Sequence, residues 1–130
     1  MTRALIIEDQ IADLQRAISV LRKVGITDID AVSRVDAGLL RLEDGLEGRS
    51  PIPDLIILDL HFNVESGFEI LRFWRSNRVL YSKTRVVVWT QMTDPELELA
   101  RYFGAEVVPK WAGPEDLESA LKRYGAAKPA

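Results

Sequence analysis

Asp54-Leu55-Ile56-Ile57-Leu58-Asp59 is the stretch on which the fold turns. Its apolar run reads as a buried strand, and a carboxylate, Asp59, stands at the C-terminal end. Such a group costs free energy unless something uses it. Working outward, three more strand-like runs end on chemistry. Ala4-Leu5-Ile6-Ile7 leads into Glu8-Asp9, Arg85-Val86-Val87-Val88-Trp89 into Thr90, and Glu106-Val107-Val108-Pro109 into Lys110. In an open parallel sheet these ends lie on one edge, where such folds place their sites. The chain thus brings three carboxylates, a hydroxyl and an ammonium to a common place.

Strand and helix patterns alternate five times. Arg3–Ile7 is the first strand. The first helix carries Ile11, Leu14, Ala17, Ile18, Leu21 and Val24 at helical spacing, with Gly25 as its stop. Asp28–Val32 is a weaker second strand, and Val35, Leu39, Leu42 and Leu46 form the stripe of a second helix. Ser50-Pro51-Ile52-Pro53 turns into the third strand. A third helix runs from Gly67 to about Asn77, with Phe68, Leu71 and Trp74 on one face. After the fourth strand, Arg85–Thr90, Asp94 as N-cap and Pro95 at the first helical position open a fourth helix. Leu97, Ala100 and Phe103 face one way on it, and Gly104 stops it. Val107 and Val108 belong to a short fifth strand. Gly113-Pro114 opens the last helix, whose Leu117, Ala120, Leu121 and Tyr124 are buried or half-buried. Residues 1–125 form one domain and 126–130 a frayed tail.

Three of the strands are continuously apolar, the mark of strands covered on both faces. With short βα connections, the expected class is α/β: a doubly wound five-stranded parallel sheet of (βα)5 type.

Composition narrows the function. At 130 residues the chain fits one domain with a real core. A net charge of −3 argues against broad electrostatic binding to nucleic acid or anionic membrane. The absence of cysteine excludes disulfide frameworks and thiolate sites, and a single histidine, His61, excludes a multi-histidine metal site within one chain. No apolar run approaches the ~20 residues of a membrane span, and no signal peptide opens the chain, so a cytoplasmic location is expected.

The acidic pair Glu8-Asp9 after the first strand, Asp59 after the third with Gly67 eight residues on, Thr90 after the fourth and Lys110 after the fifth occur in order, each at a strand end. The Leu55–Leu60 run and Ser66-Gly67-Phe68-Glu69-Ile70-Leu71 add local similarity. In these features the chain resembles the receiver domain of two-component response regulators over roughly Thr2 to Tyr124. Because that domain fills the chain, it resembles the stand-alone receivers, which have a flavodoxin-like fold.

The resemblance implies a phosphorylation-dependent switch rather than a turnover enzyme. Asp59 would accept a phosphoryl group from a histidine kinase or histidine phosphotransfer protein. Asp9 and Asp59 would bind Mg²⁺ with the backbone carbonyl of His61, and Glu8 would reach the metal through water. Thr90 would hydrogen-bond the phosphoryl group and Lys110 would pair with it. A downstream protein would dock on the face of the fourth helix, fifth strand and fifth helix, which also permits a homodimer.

Elementary electrostatics agrees with this. Three carboxylates in one cleft repel one another, which raises at least one pKa. A hard divalent cation relieves the repulsion, and Mg²⁺ suits one or two carboxylates plus phosphate. The cation and a lysine also neutralise charge on a transferring phosphoryl group.

Several positions depart from the receiver pattern. Glu8 replaces the commoner Asp, Asn63 stands where Pro is usual and implies a looser loop, and Gln91 follows Thr90 where a small residue is usual. Gln91 could shield an acyl phosphate or position a water against it. The usual switch aromatic is replaced by Val107 or Val108. Lys110 is followed by Trp111, with Pro109 before it, so that a cis bond, if present, belongs at Val108–Pro109. Trp111 is expected at or near the surface.

Taken singly, the marks have plainer readings. Asp59 could cap a loop, Asp9 a helix; Thr90 could be a β-former and Lys110 a surface charge. His61 reads as a solvent-facing loop residue. Phe73 and Trp74 cannot both face the core, and Arg72, Arg75 and Arg78 read as a solvated face.

Two other functions compete. Gln91, Asn63 and the missing aromatic favour a degenerate receiver that binds proteins without phosphorylation. A hydrolase with an aspartate nucleophile of the haloacid-dehalogenase kind would need that residue after the first strand and a second Asp two residues on, where this chain has His61.

Overall fold

The computed structural model describes residues 2–62, 66–91 and 94–125. The tail 126–130, Asn63 and the side chain of Asp94 lie outside the described residues. Strands β1 (Arg3–Ile7), β2 (Asp28–Val32), β3 (Leu55–Leu58), β4 (Arg85–Thr90) and β5 (Glu106–Pro109) form one all-parallel sheet in the order β2-β1-β3-β4-β5. The three continuously apolar runs are its three inner strands. The architecture is the expected doubly wound, flavodoxin-like α/β fold.

Period-two alternation sorts the inner strands onto two cores. Leu5, Ile7, Ile56, Leu58, Val86 and Val88 face one; Ala4, Ile6, Leu55, Ile57, Val87 and Trp89 face the other. The first core is closed by helices α2 (Val35–Leu46), α3 (Phe68–Ser76), α4 (Arg78–Lys83) and α5 (Asp94–Tyr102). The second is closed by α1 (Ile11–Lys23) and α6 (Pro114–Gly125). A short 3₁₀ turn, Lys110–Ala112, joins β5 to α6.

The helix stops fall where expected. Gly25 and Gly104 adopt φ of 92° and 98°, left-handed values that a side chain would strain. Two details differ from the sequence reading. Ile11, placed on the buried stripe of α1, is 72% exposed, because the first turn of α1 overhangs the strand ends rather than the core; Val20 is buried with Ala17 and Leu21 instead. Residues 78–84, to which the sequence reading assigned no element, contain a further short helix. Asn77 accepts the Leu80 N–H at 3.0 Å and caps α4, a helix of six residues. Leu80 is buried, and Tyr81 packs on Trp74 with ring centroids 4.7 Å apart. Trp74 is the core partner of the Phe73–Trp74 pair, and its indole N–H donates to the Thr84 carbonyl at 3.0 Å. Arg72, Arg75 and Arg78 are exposed, as expected of a solvated face. No peptide bond among the described residues is cis, including Val108–Pro109.

Candidate functional site

The register builds the site. Ile7 pairs with Leu58, and Leu58 with Val88. One residue further on, Glu8, Asp59 and Trp89 form the next row. Alternation turns that row away from the α2–α5 side, toward α1 and α6. Thr90 and Lys110 come from the ends of β4 and β5, which pair through Thr90 and Pro109. Parallel strands that stop in step therefore deliver every predicted side chain to one edge.

Asp59 is buried, 5% exposed. Its Oδ1 accepts the Thr90 hydroxyl at 2.6 Å and the His61 N–H at 3.2 Å. Among the described residues its Oδ2 is hydrogen-bonded only by the Lys110 ammonium, at 3.5 Å. One oxygen is thus fixed by two donors while the other stays open to the cleft. Thr90 has no solvent exposure, and its hydroxyl also accepts the Leu60 N–H at 3.4 Å.

Glu8 is 2% exposed. Lys110 Nζ donates to its Oε1 at 2.9 Å, and the Gln10 N–H to its Oε2 at 3.1 Å. Burial nevertheless dominates, and with repulsion from Asp59 it pushes the Glu8 carboxyl from an ordinary 4.5 up to about 7. Burial pulls the Lys110 ammonium down, but the hydrogen bonds it donates to the Asp13 and Glu8 carboxylates outweigh this and hold the pKa above its usual value. Lys110 also lies over the Trp89 ring, 5.1 Å from its centroid.

Ligand oxygens of Glu8, Asp9 and Asp59 lie within 4.8 Å of one another. Asp9 Oδ1 is buried with no hydrogen-bond partner among the described residues. A buried carboxylate oxygen left unpaired is costly. All the donors present are hard oxygens, so the set fits a small divalent cation, and Asp9 is its open member. Asp9 and Asp59 face a cleft of about 460 Å³, lined also by Asp13, His61, Gln91 and Lys110 among others. The His61 ring is exposed, its Nε2 3.7 Å from a Glu96 carboxylate oxygen. Gln91 is exposed at the mouth, and Trp111 is 61% exposed nearby in sequence, on the 3₁₀ turn.

Asp13 is the site residue that the sequence reading missed. It stands in the first turn of α1 and accepts from Lys110 at 2.7 Å. The available signal was an acid in the first turn of the helix that follows the Glu8-Asp9 loop.

Gly67 sets the shape of the loop that follows Asp59. Its N–H donates to the Leu60 carbonyl at 3.1 Å. A Cβ there would lie 2.7 Å from Leu60 Cα and would collide with the Asp59 carbonyl oxygen. Both obstacles are backbone, so the loop itself would have to move. Gly67→Ala is expected to cost about 2–3 kcal/mol of stability and to weaken divalent-cation binding; denaturant unfolding and calorimetry check the two effects. A variant as stable as the wild type would show that the loop has room to yield.

No protein-family model and no curated protein matches the sequence. Solved structures do match. The manganese-bound form of the response regulator Rcp1 superposes with a TM-score of 0.78 at 25% identity, covering 94% of this chain and 90% of that one. The Vibrio cholerae chemotaxis protein CheY4 gives 0.75 at 25% identity, over 95% of this chain and 98% of that one. The phosphorylated cyanobacterial phytochrome response regulator RcpA shares 20% identity and so bears on the fold alone, with a TM-score of 0.79 over 99% of this chain and 96% of that one.

Proposed function

We propose that this chain, a response regulator receiver domain, is a phosphorylation-dependent signalling module whose acceptor is Asp59. One observation carries the reading. The Asp59 carboxylate is buried, held at one oxygen by Thr90 and open at the other beside Lys110, with the unpaired Asp9 oxygen in the same acidic cluster.

The open Asp59 oxygen attacks phosphorus. In the same displacement the bond from phosphorus to the donor breaks, and the leaving group, a histidine imidazole or a carboxylate such as acetate, keeps the electron pair. Thr90 and Lys110 contribute position and charge. The Thr90 hydroxyl, now donating to Asp59, can turn to a phosphoryl oxygen, and the Lys110 ammonium can pair with another. Asp9 and Asp59 would hold a divalent cation directly with the His61 carbonyl, and Glu8 through water; both Glu8 oxygens already carry hydrogen bonds. The Rcp1 structure holds manganese, and Mg²⁺ is the ion proposed for this chain. When bound, it neutralises charge on the transferring group.

The donor is proposed to be a histidine kinase or a histidine phosphotransfer protein. The output is proposed to be a contact with a downstream protein at α5, β5 and α6, where Leu99, Tyr102 and Trp111 are exposed. No described helix is long and apolar enough to cross a membrane. The functional unit is proposed to be residues 1–125, acting as a switch rather than by turnover of a small substrate.

Incubation with acetyl phosphate and Mg²⁺, quenched early and read by intact mass, is expected to add one phosphoryl group, with no gain in EDTA. Failure to gain it, together with no uptake of beryllofluoride, would favour a phosphorylation-independent binding module, for which Gln91 at the mouth of the cleft is the structural argument.

A further inference from the structure

We propose that Asp13 is the positioning residue for Lys110: its carboxylate parks the ammonium in the unphosphorylated site and restrains its move onto a phosphoryl oxygen. This rests on the reading of Asp59 as the acceptor.

The geometry is a saturated lysine. An ammonium has three protons and no other donor. Lys110 Nζ spends them on Asp13 at 2.7 Å, Glu8 at 2.9 Å and Asp59 at 3.5 Å. The tightest contact goes to Asp13 and the loosest to the acceptor. The Trp89 ring on another side of the ammonium leaves little freedom to add a fourth partner. On phosphorylation of Asp59 Oδ2, the proton now spent on that oxygen at 3.5 Å is the one that turns to a phosphoryl oxygen. The tighter contacts to Asp13 and Glu8 restrain the ammonium as it moves.

Of the two tight partners, Asp13 is the one that can let go. Its side chain is 19% exposed against 2% for Glu8, so water can replace the ammonium at Asp13 and not at Glu8. Asp13 also has a second cation, Arg16 Nη1 at 3.2 Å, to hold its charge after release. Giving up Glu8 instead would strand a buried carboxylate oxygen. The lysine is thus held by a contact strong enough to place it and exposed enough to lose, and Asp13 sets how strongly the site resists phosphorylation.

The test is a double-mutant cycle of Asp13→Asn with Lys110→Gln, read as beryllofluoride affinity in saturating Mg²⁺ by calorimetry. Asp13→Asn is expected to tighten binding about two- to tenfold, as loss of a partly exposed ion pair allows. Asp13→Glu, which restores the charge, is expected to return the affinity toward wild type. The tightening should vanish in the Lys110→Gln background. Equal tightening there would mean simple relief of negative charge and would overturn the inference, as would no tightening at all. A second readout needs no phosphoryl mimic: the ¹H–¹⁵N signal of the Lys110 ammonium in the metal-free protein should shift and exchange faster in Asp13→Asn, and an unchanged signal also overturns the parking role. If wild type takes up no beryllofluoride, the acceptor reading fails and carries this inference with it. If wild type binds and Asp13→Asn binds no better, the inference alone fails.

Discussion

Asp59→Asn is expected to lose phosphoryl uptake entirely and, in the absence of divalent cations, to melt at a higher temperature than the wild type. The first half follows from the attacking atom. Asp59 Oδ1 is occupied by Thr90 and His61, which leaves Oδ2 as the oxygen proposed to attack. Asn keeps an oxygen for Thr90 but puts a non-nucleophilic amide where Oδ2 stood. The second half follows from charge. Glu8, Asp9, Asp13 and Asp59 crowd together around the Lys110 ammonium, with the exposed Arg16 reaching Asp13 from outside. Asp59 is among the causes that raise the Glu8 pKa, so removing its charge relieves a neighbour as well. Relief of about 1 kcal/mol corresponds to roughly 3–6 °C in a domain of this size. Intact mass after acetyl phosphate treatment checks the first effect, and thermal melts in EDTA and in Mg²⁺ check the second. Added Mg²⁺ should raise the wild-type melting temperature more than that of the variant. A phosphoryl group still gained by Asp59→Asn would move the acceptor elsewhere; a lower metal-free melting temperature would mean that Lys110 depends on Asp59 more than the carboxylates repel it.

Most of this site could be read from the strand ends because the fold leaves them little choice. A strand buried on both faces cannot slip by one residue without exchanging its two cores. Once Leu55–Leu58 and Ala4–Ile7 are inner strands, Glu8 and Asp59 must emerge side by side. What escaped the sequence depends on contacts between elements. A lone acid in the first turn of a helix, like Asp13, looks like a residue that merely suits the helix dipole; only the overhang of α1 above β5 brings it to Lys110. The same overhang exposes Ile11, which helical spacing alone assigns to the core. Helix α4 has six residues, too few for a periodic signal, and is held by Asn77, Leu80 and the Trp74–Tyr81 contact rather than by its own pattern. The 3₁₀ turn at Lys110–Ala112 is likewise a product of how β5 meets α6.

Glu8 gives the second large prediction, a metal-free protein that is more stable at pH 6 than its Glu8→Gln variant would lead one to expect from pH 8. Burial raises the Glu8 carboxyl in the fold to about 7, against 4.5 ordinarily. Between those values the folded state keeps a proton that the unfolded chain has released. Folding is therefore linked to proton uptake there, and this contribution is complete below pH 4.5 and lost as pH rises through 7. A displacement of that size is worth up to ~3 kcal/mol, enough to move the melting temperature by several degrees. Other carboxylates also titrate at acid pH, so the informative quantity is the difference between wild type and Glu8→Gln. Gln keeps the length and an oxygen for Lys110 or Gln10 while abolishing the proton. In EDTA the variant should gain on the wild type from pH 5 up to about pH 7 and hold that gain to pH 8. A divalent cation replaces the proton as the relief for the buried charge, so Mg²⁺ should stabilise the wild type more at pH 8 than at pH 6, and should do less for Glu8→Gln at either pH. Parallel melting curves for the two proteins across that range would show that the Lys110 and Gln10 hydrogen bonds fully offset the burial of Glu8, and that proton and metal do not compete at this residue.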